Sequence, residues 1–240
     1  MGNWLERTEM LLGTACMEKL HLAHVTVVGV GGVGAYAAEM LARAGIGHLT
    51  IVDSDTVGLS NINRQMLALH STVGEKKVDV LGRRLLDINP ELELNCIPEY
   101  ISEENISALL PASDVVVDAI DTLSPKIALI QYCIRMKIPL VSSMGSGAKF
   151  DVTGIRIADI SKTRMCPLAH MLRKRLHKLG IISGFTAVYS EEPPRKDTVV
   201  IEESRNKKSQ VGTISYLPAA FGCACAQAAI LRIAGIDENC

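Results

Sequence analysis

The sequence predicts an α/β protein in which a mostly parallel, Rossmann-like sheet carries helices on both faces. Short apolar runs alternate with helical patterns along the first 148 residues, as expected for buried parallel strands joined by helices. A glycine-rich turn directly follows the first apolar run. Hydrophobic residues make up 48% of the 240 residues, but aromatic ones are few (1 Trp, 5 Tyr, 3 Phe), which disfavours a β-sandwich.

The spacing of apolar residues predicts each element of the first part in turn. Continuous apolar runs indicate strands at residues 24–29, 49–53, 92–97, 114–118 and 139–143. Helical periodicity indicates helices at residues 33–44, 73–88, 105–110 and 125–136. Pro125 fits the first turn of its helix, where a backbone N–H has no intrahelical acceptor.

The pattern changes after residue 148, where we expect a C-terminal extension to complete the sheet. Residues 150–159 are predicted to supply strands, and residues 165–179 an amphipathic helix. Residues 191–210 are polar and are predicted to form a mobile loop, and an apolar helix follows at 217–234. The expected organisation is one domain over residues 1–240, with a nucleotide-binding part at 1–148 and a basic, helical part at 149–240.

Charge is distributed unevenly along the chain. Residues 1–148 contain 11 Lys or Arg against 17 Asp or Glu, whereas residues 149–208 contain 13 against 7. A polyanionic partner is therefore expected on the second segment. The seven cysteines include no CxxC pair, which disfavours a disulfide scaffold and a structural zinc site. With no N-terminal signal peptide and an arginine within the apolar 217–236 stretch, we expect a cytoplasmic protein without a membrane span.

A phosphate-binding turn is the strongest local signal. Glycines permit a tight turn whose N–H groups approach a phosphate at a helix N-terminus; here they are Gly29, Gly31, Gly32 and Gly34. Asp53 ends the second predicted strand, where a carboxylate can accept hydrogen bonds from ribose hydroxyls. This pattern alone fits both NAD and ATP.

Two cations favour ATP over NAD. Arg64 and Lys77 follow the second strand, and charge builds on phosphorus and pyrophosphate during nucleotidyl transfer, which cations stabilise. A redox enzyme has no evident need for them. Each cation taken alone could also be an ordinary solvated side chain.

These motifs resemble those of the ubiquitin-activating type of adenylating enzymes, which includes MoeB and ThiF. The resemblance covers about residues 5–148 and implies a ThiF/MoeB-type fold. It also implies ATP binding by Gly29, Gly31, Gly32, Gly34, Asp53, Asp55, Ser60, Asn61, Asn63, Arg64, Lys77, Asp121 and Thr122. Asp121 would hold Mg²⁺ with the ATP, although it could instead cap a helix. Arg7 would reach the ATP of a partner subunit, which implies a homodimer; the catalytic set would be Arg7, Arg64, Lys77 and Asp121.

The missing zinc cysteines, the short chain and the 212–218 segment (GTISYLP) narrow the resemblance to one subgroup. These are the tRNA threonylcarbamoyladenosine dehydratases, and the similarity runs from about Arg7 to Ile236. It implies ATP-dependent cyclisation of threonylcarbamoyladenosine beside the tRNA anticodon, an adenylate-forming, ligase-type reaction. The tRNA would contact basic residues of the second segment, foremost Arg173, Lys174, Arg175 and Lys178. The other candidate phosphate contacts of that segment are Lys149, Arg156, Lys162, Arg164, Arg195, Lys196, Arg205, Lys207 and Lys208. A cysteine desulfurase or sulfur acceptor is a further possible partner, and a monovalent cation site is left open.

Three alternatives stay open. The same ATP site could activate the C-terminus of a ubiquitin-like sulfur carrier, although the basic segment and the missing zinc cysteines count against that. The chain could also be an NAD-binding or non-catalytic Rossmann protein, which Arg64, Lys77 and Asp121 disfavour. Finally, a thioester or persulfide could form on a cysteine; the candidates are Cys166, Cys223 and Cys225.

Overall fold

The computed structural model describes residues 4–200 and 210–236 and is built on a seven-stranded sheet. Its strands are β1 (His24–Val28), β2 (His48–Val52), β3 (Glu93–Ile97), β4 (Val115–Asp118), β5 (Leu140–Ser143), β6 (Ile155–Asp159) and β7 (Thr186–Ser190). Their order across the sheet is β3-β2-β1-β4-β5-β7-β6, and all neighbours are parallel except β6 and β7. The five strands predicted in the first part are thus confirmed, with ends shifted by at most one residue.

Residues after 148 complete the sheet, as the sequence predicts. The predicted 150–159 strand region contributes β6, and β7 adds a parallel partner for β5 that the periodicity analysis missed. A separate two-stranded ribbon pairs β8 (Val199–Val200) with β9 (Gln210–Val211). Part of the predicted 191–210 loop is therefore a strand, and its residues 201–209 lie outside the described residues.

Helices cover both faces of the sheet. They are α1 (Glu6–Leu12), α2 (Thr14–Leu22), α3 (Gly34–Arg43), α4 (Lys77–Ile88), α5 (Ile106–Leu109), α6 (Leu123–Met136), α7 (Pro167–His177) and α8 (Tyr216–Ala234). One apolar core lies between the sheet and α3, α4 and α8. A second core lies on the other face, under α5, α6 and α7. Because both faces of the sheet are buried, its strands are continuous apolar runs in the sequence.

Helix α8 is long and apolar enough to cross a membrane by length and composition, but half of its most apolar window is buried. It packs on α3 so closely that a Cβ on Gly222 would lie 2.5 Å from the Val33 carbonyl oxygen. Phe221 and Ala229 of the same helix are fully buried. The helix therefore acts as a core element of this fold, as the sequence predicts.

Two predicted helices begin later than the sequence indicates. Helix α4 begins at Lys77 rather than residue 73, because Gly74 has a φ of +93°, which helical backbone cannot adopt. Helix α7 begins at Pro167 rather than Met165, whose φ is +59°. Proline at the first helical position fits this start, since its missing N–H has no helical acceptor there.

Candidate nucleotide site

The candidate site lies where the sheet order reverses. Strand β1 pairs with β2 on one side and β4 on the other, and the chain leaves β1 through residues 29–33 into α3. Ligands of open α/β sheets bind at the carboxyl ends of the strands at such a switch point. The glycines of the predicted phosphate turn therefore lie where the fold binds ligands.

Glycine is required at both ends of this turn. A Cβ on Gly34 would lie 1.8 Å from the Gly29 carbonyl oxygen, and a Cβ on Gly29 would lie 2.9 Å from the Ala119 carbonyl oxygen. Gly29 also has a φ of +86°, which L side chains rarely adopt. The turn is consequently too tight for a side chain at these two positions, and it leaves backbone N–H groups near the start of α3.

Asp53 is fixed beside the glycine turn at the end of β2. Its Oδ2 accepts a hydrogen bond from the Val30 N–H at 2.7 Å, and its Oδ1 accepts one from the Asp55 N–H at 2.8 Å. Burial raises the pKa of the Asp53 carboxyl, and the nearby charge of Lys77 partly offsets that effect. The two backbone bonds hold the carboxylate in place without a bound sugar.

Lys77 is the first residue of α4 and is only 5% exposed. Its Nζ lies 2.7 Å from Oδ2 of Asp55, and its backbone N–H donates to the Asp55 carbonyl. The neighbouring Lys76 is exposed. Of these two adjacent lysines, only Lys77 has its amine among the predicted nucleotide residues, so it is the one placed to neutralise phosphate charge.

Arg64 is held against the glycine turn by its own loop. Its Nη1 donates to the Ser60 carbonyl and to Asn63 Oδ1, both at 2.9 Å. Its Cγ lies 3.5 Å from where a Cβ on Gly32 would be. The Asn61 side chain in turn accepts from the Gly58 N–H and stabilises the loop. The predicted 60–64 segment thus converges on the turn.

Gln65 lies beside the glycine turn and was not among the predicted site residues. It is 7% exposed, and its Oε1 is the one buried side-chain N or O atom among the described residues without a hydrogen-bond partner. Its Nε2 lies 3.6 Å from where a Cβ on Gly31 would be. A buried amide rarely stays unpaired, so this atom fits a ligand that brings the missing partner. The glycine turn and this amide together suit a nucleotide. The sequence feature that could have indicated Gln65 is its position directly after Arg64.

Asp121 and Thr122 follow β4 at the same edge of the sheet. Asp121 is exposed, and the N-cap position of α6 is held by Thr122, which makes no side-chain capping hydrogen bond. Within the described part of the chain, no group of three or more His, Cys, Asp or Glu side chains could hold a metal. A Mg²⁺ carried by nucleotide phosphates needs only one or two carboxylates, a requirement that Asp121 alone can meet.

Two of the cations assigned to tRNA binding have hydrogen-bond partners within the chain. Arg173 donates from Nη1 to the Thr163 carbonyl at 2.8 Å, which ties α7 to the preceding turn. Lys149 is 3% exposed and its Nζ donates to the Ser190 and Glu192 carbonyls. The amine of Lys149 thus satisfies backbone oxygens in the interior, whereas Arg173 is half-buried and uses Nη1 for this bond. The burial of Lys149 counts against a phosphate contact at that residue, whereas RNA binding by Arg173 stays a prediction.

Two further cations of α7 and the residue directly after the helix are exposed and form a surface that we call the α7 basic face; its members are Lys174, Arg175 and Lys178. Arg156 and Arg164 both pair with Glu191, which neutralises part of the same segment. The further predicted contacts Arg205, Lys207 and Lys208 lie outside the described residues. Arg7, the residue assigned to a partner's site, is exposed on α1.

The cysteine alternative loses support from the structure. Cys225 is fully buried, and burial raises the pKa of its thiol to about 12. Cys166 is also buried. Cys223 is exposed, but partial burial still raises its thiol pKa. Since the thiolate is the reactive form, none of these positions favours a nucleophile.

The chain is similar to several proteins of known kind. It is 44% identical over 209 residues to the tRNA threonylcarbamoyladenosine dehydratase of Bacillus subtilis, which covers 87% of this chain and 81% of the relative. It is 40% identical over 211 residues to the Escherichia coli dehydratase of the same name, covering 82% and 79% of the two chains. The crystal structure of the E. coli enzyme in complex with ATP superposes with a TM-score of 0.87 at 35% identity, covering 96% and 93%.

The family model agrees with the site geometry. The model described as the ThiF family matches residues 5–240, from α1 to beyond α8. That span contains the glycine turn, Arg64, Lys77 and Asp121, and the sheet is mostly parallel, as the sequence predicts. On the match of its sequence and of its fold, this chain belongs to the ThiF family.

Proposed function

We propose that this chain is an ATP-dependent dehydratase that cyclises threonylcarbamoyladenosine in tRNA. The observation that carries the proposal is the convergence of the glycine turn, Arg64 and the buried Lys77 at the switch point of the sheet. The similarity to dehydratases over more than four fifths of the chain names the substrate class. We further propose that residues 1–240 act as one domain, since the sheet joins strands from both predicted parts.

The reaction would proceed in two steps. The free carboxylate of the substrate attacks the α-phosphorus of ATP, which forms an acyl adenylate and releases pyrophosphate. The neighbouring carbamoyl group then attacks the activated carbonyl carbon, closes a ring and releases AMP. The chain's contribution is to align these groups and to offset the negative charge that develops on phosphorus and pyrophosphate.

Each predicted site residue receives a role in this scheme. The glycine turn would bind phosphate through its N–H groups, and Asp53 would accept hydrogen bonds from ribose hydroxyls. Arg64 and Lys77 would stabilise charge on the phosphates. Asp121 would hold Mg²⁺, and that cation would supply positive charge to offset the charge of the phosphates. The other predicted contacts, which line the same loops, are Asp55, Ser60, Asn61, Asn63 and Thr122.

The proposed assembly is a homodimer in which Arg7 reaches the partner's nucleotide. Support comes from α1, where Met10 and Leu11 are 81% and 83% exposed, as expected of side chains that a second subunit covers. Mixing Arg7→Ala with Lys77→Ala protein tests the idea, because some mixed dimers keep one intact site. Activity should recover after subunit exchange. No recovery despite proven exchange would contradict the assignment in trans.

The proposed partner is tRNA, bound in the cytoplasm through the α7 basic face. Its three exposed cations can release counterions from RNA phosphates. A cysteine desulfurase or sulfur acceptor is kept as a further proposed partner.

Pyrophosphate release by the purified protein tests the function directly. Release should require ATP together with tRNA that carries threonylcarbamoyladenosine, and nucleoside analysis of that tRNA should show loss of one water. Nucleosides from cells lacking the protein should keep the uncyclised form. Release driven by a ubiquitin-like carrier protein, and not by tRNA, would instead favour a sulfur-carrier activator. No release with either substrate would contradict both adenylating functions.

A further inference from the structure

A fully buried ion pair lies at the end of β4, directly beneath the candidate nucleotide site. Asp118 is the last residue of β4, and Lys126 is the fourth residue of α6. Nζ of Lys126 lies 2.8 Å from Oδ2 of Asp118, and neither side chain has any exposed surface. Neither Asp118 nor Lys126 is among the site residues described above.

Both side chains of the pair form hydrogen bonds to the backbone of Ile120, in the loop after β4. Oδ1 of Asp118 accepts a hydrogen bond from the Ile120 N–H at 3.0 Å. Nζ of Lys126 donates to the Ile120 carbonyl at 3.0 Å. Oδ2 of Asp118 also accepts from the Ser142 hydroxyl on β5 at 2.7 Å. The N–H and the carbonyl of Ile120 are thus each bound by one charged side chain. The Ser142 hydroxyl of β5 in turn holds the Asp118 carboxylate.

The loop held in this way forms one wall of the site. Ala119 packs against the glycine turn. Its carbonyl oxygen lies 2.9 Å from where a Cβ on Gly29 would be, and its own Cβ lies 3.1 Å from where a Cβ on Gly34 would be. Asp121 and Thr122 come directly after Ile120. A shift of Ile120 would therefore displace both the support of the glycine turn and the carboxylate proposed to hold Mg²⁺.

Stability alone does not explain such a pair. Removing two charges from water is costly, and replacing a buried ion pair by apolar residues of similar volume is often neutral or stabilising. A pair of apolar side chains would fill the space but could not bind the N–H and the carbonyl of Ile120. What the charged pair adds is the fixed geometry of residues 119–122.

We propose that Asp118 and Lys126 are positioning residues, which hold the 119–122 loop in the conformation that binds ATP. The proposal rests on the proposed function, because it assumes that ATP occupies the site above the loop. Neither residue touches the nucleotide, and both act through Ile120 on the glycine turn and on Asp121.

Two variants distinguish an effect on the position of the loop from an effect on the stability of the fold. Lys126→Met leaves a buried carboxylate unpaired and should lower the melting temperature, since breaking one partner of a buried pair is strongly destabilising. The double variant Asp118→Asn with Lys126→Met removes both charges, keeps an acceptor for the Ile120 N–H, and should regain much of the lost stability. It still lacks a donor to the Ile120 carbonyl.

Leu20→Ala is the matched control for instability. Leu20 is fully buried on α2, and its carbonyl accepts from the Gly47 N–H just before β2. It therefore lies at the amino ends of the strands, away from the nucleotide site. The cavity should lower the melting temperature without moving the 119–122 loop.

Titration calorimetry with ATP and Mg²⁺, without tRNA, gives the decisive measurement. We expect both pair variants to bind ATP about 10- to 100-fold more weakly than wild type, the usual cost of losing a group that orients a binding residue. Leu20→Ala should bind as wild type does. Wild-type affinity in the double variant, or equal weakening by Leu20→Ala, would overturn the proposal. If the wild-type protein binds no ATP, both the proposed function and this inference are overturned.

Discussion

Replacing Lys77 by methionine should slow the first chemical step while leaving the fold intact. The Lys77 side chain is 6% exposed, so methionine fills its space, and the Asp55 partner that loses the ion pair is 67% exposed and can be hydrated. A unit charge 4 Å from a phosphate oxygen contributes about 4 kcal/mol at an effective dielectric of about 20. Asp55 offsets part of that attraction.

The expected loss is therefore about 10²- to 10³-fold in rate, as for other preorganised electrostatic groups. The assay is single-turnover release of pyrophosphate with substrate tRNA, and thermal unfolding confirms that the variant is folded. Lys76→Met is the control, because Lys76 is adjacent in sequence but exposed. It should react at nearly the wild-type rate. An unchanged rate for Lys77→Met, or an equal loss for both variants, would refute the electrostatic role.

Three other predictions concern the turn, the RNA surface and the acid stability of the fold. Gly34→Ala should abolish ATP binding in calorimetry, because the new Cβ would lie 1.8 Å from the Gly29 carbonyl oxygen; unchanged affinity would contradict the tight turn. Alanine at all three members of the α7 basic face should weaken tRNA binding and flatten its salt slope by at most about three units, whereas Arg173→Ala should lower the melting temperature. Burial opposes ionisation of Glu39, but hydrogen bonds from Arg84 and Arg43 outweigh it and lower its pKa. This stabilisation is present above the unfolded-state pKa and is lost as pH falls through the folded-state pKa, so Glu39→Gln should make unfolding less sensitive to acid.

The sequence by itself determined the elements and motifs that depend on neighbouring residues. Apolar runs located the first five strands, because a strand buried on both faces must be apolar throughout. The glycine turn and Asp53 could be placed at the ligand edge because their positions follow from the strands before them. The later starts of α4 and α7 were missed, since Gly74 and Met165 adopt positive φ. The Gly74 N–H donates to the Val57 carbonyl, a contact that the local residue pattern does not specify.

Only the tertiary structure decided which polar side chains are free and which are internal. Lys149 donates to the Glu192 carbonyl and Arg173 to the Thr163 carbonyl, contacts that the charge pattern of the sequence does not reveal. The Asp118–Lys126 pair and the orphaned amide of Gln65 likewise depend on contacts between separate elements. The physical reason is that burial and hydrogen-bond partners are properties of the packed chain, and residue type and spacing alone do not specify them.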